Sequence, residues 1–73
     1  MRGRNEVTPG DIGRRVSFQY ELPNGYVSEV VGQLEWYDEA AATFMVKDRN
    51  EALVRVPMKG VRHGRLVREP KPR

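Results

Sequence analysis

The chain has 73 residues, no cysteine, one histidine and a formal charge of +3 at pH 7. A domain this small buries only about 60% of the surface its unfolded chain exposes, and without cysteines or a second histidine neither a disulfide framework nor a Cys/His zinc cage can reinforce it. Stability must come from apolar packing alone. No apolar run approaches the roughly 20 residues of a membrane span, and Met1 to Gly10 lacks the apolar stretch of a signal peptide, so a cytoplasmic protein without cofactor is expected.

Residues 1–9 are polar, arginine-bearing and aperiodic, which predicts a flexible arm ahead of a domain over 10–67. From Arg15 the sequence alternates, placing Val16, Phe18, Tyr20 and Leu22 on one face and Arg15, Ser17, Gln19 and Glu21 on the other, the period of a half-buried strand. Pro23-Asn24-Gly25 ends it: proline removes a ladder donor, and Asn-Gly accepts the backbone of a tight turn. The returning strand is read from Tyr26 to Tyr37, with Val30, Gly32, Leu34 and Trp36 inward and Val31, Gln33, Glu35 and Tyr37 outward; Gly32 marks a bend, a bulge or a close backbone approach.

Asp38 to Ala42 is a polar and small-residue connection. Its Glu39-Ala40-Ala41-Ala42 has helix propensity, but the segment is too short and sits between strand patterns. A third strand, Thr43 to Lys47, points Phe44 and Val46 inward, and a fourth, Ala52 to Val56, is stopped by Pro57. Met58 to Val61 suits a single 3₁₀ turn before a short last strand around Arg65 to Val67, and 68–73 is a disordered tail. Short strands at 8 to 12 residue spacing make a small closed sheet. The predicted fold is therefore all-β, a five-strand SH3-like barrel with a 3₁₀ turn before the last strand, and the OB-fold is the five-strand alternative.

The segments Gly10-Asp11-Ile12-Gly13-Arg14-Arg15-Val16, Tyr20-Glu21-Leu22-Pro23-Asn24-Gly25, Val31-Gly32 and Val54-Arg55-Val56-Pro57 with Val61 resemble the SH3-like module that precedes the catalytic domain in some bacterial GNAT-family acetyltransferases. The resemblance covers about Pro9 to Arg68 and implies an accessory or interaction module. Its motifs are structural, so it supplies no catalytic or ligand residues. The chain carries no acetyl-CoA pyrophosphate loop, and acetyl transfer by these residues is not implied.

No constellation of side chains points to catalysis, and the chain is not expected to be an enzyme. His63 has no cysteine, second histidine or carboxylate at a metal-ligand spacing. Ser17, Ser28 and Thr43 lie in strand patterns rather than a nucleophile elbow, and Asp38-Glu39 is adjacent turn chemistry. Gly10-Asp-Ile-Gly13 is shorter than a phosphate loop and precedes a strand.

Two binding readings remain. For a protein partner, the amphipathic aromatics are Tyr20, Tyr26, Trp36 and Tyr37. Phe18, Tyr20, Trp36 and Phe44 are assigned to the core, which leaves Tyr26 and Tyr37 as the surface candidates. No Ala-Leu-Tyr-Asp-Tyr loop is present, so polyproline binding is not supported. The alternative is nucleic acid, held by a basic patch of Arg55, Lys59, Arg62, His63, Arg65 and Arg68. Residues 49–73 carry eight cations against two anions, while 16–48 carry one against six, and the sequence pI is 9.7. Yet no aromatic other than His63 lies beyond Ala52 to stack on bases. An unidentified protein partner is preferred, for a monomer with edge-strand dimerisation as the alternative state.

Overall fold

The computed structural model describes residues 4–68. Six strands, β1 (Arg4–Asn5), β2 (Arg15–Glu21), β3 (Val27–Asp38), β4 (Thr43–Asp48), β5 (Leu53–Pro57) and β6 (Val61–Leu66), are accompanied by 3₁₀ turns at Pro9–Asp11 and Met58–Gly60. They form one sheet in the order β1-β6-β2-β3-β4-β5, antiparallel at every step except β1 on β6. The fold is all-β and SH3-like, as the alternation predicts.

The strongest local signals act as read. Val16, Phe18 and Tyr20 are buried along β2. Leu22 N–H donates to the Tyr26 carbonyl at 2.7 Å and Asn24 Oδ1 accepts from Tyr26 N–H at 3.1 Å, while Gly25 takes φ 92°, a conformation that costs glycine little. At the β4–β5 turn, Asp48 Oδ1 accepts from the N–H groups of Asn50 (2.8 Å) and Ala52 (3.0 Å). The alanine-bearing connection forms no helix. Asp38 Oδ1 holds Ala41 N–H at 3.2 Å, and Met58 N–H donates to the Ala42 carbonyl at 2.8 Å, tying this turn to the end of β5.

The core is Val7, Val16, Phe18, Tyr20, Val30, Leu34, Phe44, Val46 and Val56. Phe44 is its hub, with ring centroids 5.0 Å from Phe18 and 4.9 Å from Tyr37. Gly32 lies in close approach to β4, and a Cβ there would overlap the Lys47 carbonyl.

Three expectations are corrected. The predicted arm is docked from Arg4 onward: Arg4 and Asn5 pair with His63 and Gly64, Glu6 N–H donates to the Gly64 carbonyl at 2.8 Å, and Val7 is 3% exposed in the core. A reciprocal cap between Thr8 and Asp11 then turns the chain into the first 3₁₀ turn. One apolar residue and one cap leave no periodic trace, which is why the segment reads as loose. With the docked β1 the sheet has six strands instead of five. Second, the last strand is Val61–Leu66, longer and earlier than expected.

Third, Trp36 and Tyr37 exchange faces. Leu34 pairs with Val46 but Trp36 pairs with Met45, leaving Glu35 as an extra residue on β3. This bulge advances the alternation by one. Tyr37 therefore turns inward against Phe44, and Trp36 turns out to 62% exposure. The expected tail from Glu69 onward, and the first three residues of the expected arm, lie outside the described residues.

Candidate protein-docking face

Past the bulge, the cross-strand pairs align Trp36 on β3, Met45 on β4 and Arg55 on β5 in one row across the outer face. Met45 is half-buried between its neighbours, and Arg55 is exposed. Leu53, two residues before Arg55 and so on the same face, is 59% exposed. Trp36, Met45 and Arg55, with Asp38, Ala41 and Thr43 at the β3–β4 turn, enclose a small cleft of about 130 Å³. Lys47, on the same outer face, reaches Glu35 at 3.9 Å. Met45, Leu53 and Arg55 share this face through the regular alternation of β4 and β5, and the bulge in β3 adds the indole to them.

The surface candidates fall on different sides of that outcome. Tyr26 is 72% exposed at the end of the β2–β3 hairpin, apart from the Trp36 row. Tyr37 is half-buried, packed on Phe44, and its hydroxyl donates toward the Met58 Sδ at 4.0 Å. It supports the core rather than presenting a contact surface. Trp36, expected in the core, is the site residue that strand alternation alone does not reveal. One signal was available: a buried indole needs a partner for its N–H, and the predicted inward set of this small core offered only the Tyr20 hydroxyl among its side chains.

The six basic residues do not form a single patch. Arg55 belongs to the Trp36 row, with three strands between β5 and β6 in the sheet order. Lys59 sits in the second 3₁₀ turn beside Glu21, Leu22 and Pro23. A second irregularity, where Gln19 pairs with His63 but Tyr20 with Val61, leaves Arg62 unpaired in the ladder, and its guanidinium reaches Glu21 at 3.5 Å. His63 and Arg65 line a wider groove of about 480 Å³ with Arg4, but Glu6 and Glu29 line it too. Arg68 is exposed just beyond β6. Carboxylates thus interrupt the positive charge wherever it gathers, unlike a continuous phosphate track.

Among the described residues no group of three or more His, Cys, Asp or Glu side chains is placed to hold a metal ion, and no helix is long and apolar enough to cross a membrane. Exposure of Trp36 has a direct energetic consequence. Trp36→Ala should change stability by no more than about 0.5 kcal/mol, whereas removal of a buried tryptophan costs about 3–5 kcal/mol. Urea unfolding of both proteins separates the two, and a loss in the larger range would return Trp36 to the core.

A bent six-strand sheet around one small core, with a 3₁₀ turn before the last strand, defines a small Sm-like β domain. Residues 10–65 match the Rv0428c N-terminal Sm-like domain, and the chain belongs to that family. No curated protein and no solved structure matches the chain significantly.

Proposed function

We propose that this domain is a non-catalytic accessory module that docks on a protein partner through the outer face around Trp36, acting in the cytoplasm. The observation that carries the reading is the 62% exposed indole, aligned with Met45 and Arg55 and flanked by exposed Leu53. Tryptophan and arginine are the residue types that most often dominate binding energy at protein interfaces, and a half-buried methionine adapts to the shape laid on it. The name of the family places such domains at the N-terminus of a protein. The resemblance to modules preceding GNAT-type catalytic domains supplies a partner class, an acetyltransferase catalytic domain.

Trp36 is the chain's single tryptophan, so its emission reports on this face alone. Titrating the domain with a GNAT catalytic domain taken from a protein that carries a module of this family should shift that emission to the blue and saturate. An unchanged emission at saturating catalytic domain would refute the docking reading. Binding of an oligonucleotide instead, with log K falling by about 0.7–0.9 per phosphate contact against log salt, would replace it with the nucleic-acid reading.

A further inference from the structure

Resting on that reading, we infer the chemistry of the segment received at the face. It is an apolar anchor with a single neighbouring carboxylate: one apolar side chain seats over Met45 between Trp36 and Arg55, and the carboxylate pairs with the Arg55 guanidinium. The space decides the first half. About 130 Å³ is well below the roughly 300–1,000 Å³ of small-molecule sites and has room for one side chain. The indole, the Met45 thioether and Ala41 give it apolar walls, and Leu53 extends the apolar surface along β5.

Charge decides the second half. Among the described residues the ion pairs are Arg14 with Asp11, Lys47 with Glu35 and Arg62 with Glu21, so Arg55 has no anionic partner within 4 Å. The nearby Asp38 carboxylate is already accepting from Ala41 N–H. A guanidinium at the lip of an apolar cleft favours a carboxylate, which it can hold through two parallel hydrogen bonds. Asp38 lines the same cleft, and Glu39 follows it in the β3–β4 turn. They repel a run of negative charge, which limits the ligand to one acidic group beside its anchor and disfavours a phosphate backbone.

The test uses dye-labelled, capped peptides carrying a Leu-Asp pair among serines, the Leu-Lys counterpart, and oligothymidylate, each followed by anisotropy against the parent domain, Arg55→Glu and Trp36→Ala. The Leu-Asp peptide should bind the parent domain in preference to Leu-Lys. Arg55→Glu should weaken it roughly fivefold, the upper range for an exposed ion pair, and shift the preference to the lysine peptide, while Trp36→Ala should weaken both peptides. Equal affinity for the two peptides, indifference to Arg55→Glu, no binding of Leu-Asp, or tighter binding of oligothymidylate would each overturn the assignment. If Leu-Asp fails while the catalytic domain still shifts Trp36 emission, only the ligand chemistry falls. If both fail, the docking face falls with it.

Discussion

Phe44→Ala should leave the chain largely unfolded at 25 °C. Phe44 is fully buried and is the one ring that touches both Phe18 and Tyr37, so it joins the β2 wall of the core to the far end of β3. Truncating a buried phenylalanine costs about 3–5 kcal/mol, because the lost transfer energy is joined by the cavity left behind. A core in a chain below 70–80 residues rarely supplies more than about 3–5 kcal/mol in total, and no disulfide adds to it here. The two quantities are of the same size, so the cooperative transition should disappear. Thermal and urea unfolding followed by circular dichroism checks it. Phe44→Leu, which keeps most of the volume, should retain a cooperative transition with a loss of about 1.5 kcal/mol. An alanine variant melting within a few degrees of the parent would mean that Phe44 is not the hub of the core.

The parts of this fold that were legible in the sequence are those where each residue obeys its neighbour's period. Val16, Phe18 and Tyr20 alternate without interruption, as do Phe44 and Val46, and all are buried. Pro23-Asn24-Gly25 and Pro57 mark the hairpin and the end of β5 by backbone chemistry alone, and the 3₁₀ turn follows at Met58–Gly60. The illegible parts are those where a single residue changes the register. Gly32 was the visible irregularity in β3, yet the bulge sits three residues later at Glu35. A bulge needs no glycine when its extra residue keeps a negative φ, and Glu35 is not among the positive-φ residues, so it gives no sign of the bulge. Because a one-residue slip turns every later side chain over, the error fell on Trp36 and Tyr37, the two residues that decide the candidate site. Arg55, beyond the bulge and on another strand, was placed on the surface correctly but could not be joined to Trp36 without it. The docking of Arg4 to Val7 was hidden for a different reason: two ladder residues and one valine are too few to show a period.

Gly32→Ala should destabilise the domain by about 3 kcal/mol or more, against the usual sign for this substitution in a strand. Glycine within a strand ordinarily costs roughly 0.5–1 kcal/mol relative to alanine through the freedom lost on folding, so propensity alone predicts a gain. Steric contact opposes it and is larger. The added Cβ would overlap the Lys47 carbonyl and lie 2.8 Å from that residue's carbonyl carbon and 3.0 Å from Asp48 Cα. These are backbone atoms with no rotamer to move into, so β4 itself must shift, and overpacking of this kind costs about 1–3 kcal/mol even where side chains can yield. Gly32 pairs with Asp48 at the start of the same β3–β4 ladder that carries Trp36 opposite Met45. A displaced β4 would therefore reach the docking face as well as the core: the urea midpoint should fall, and amide shifts should spread from Lys47 and Asp48 to Met45. Gly32→Val, with two further methyl groups in the same space, should not fold. A raised urea midpoint for Gly32→Ala would show that the two strands have room between them, and with it that the row of Trp36, Met45 and Arg55 is held less firmly than the cross-strand pairing requires.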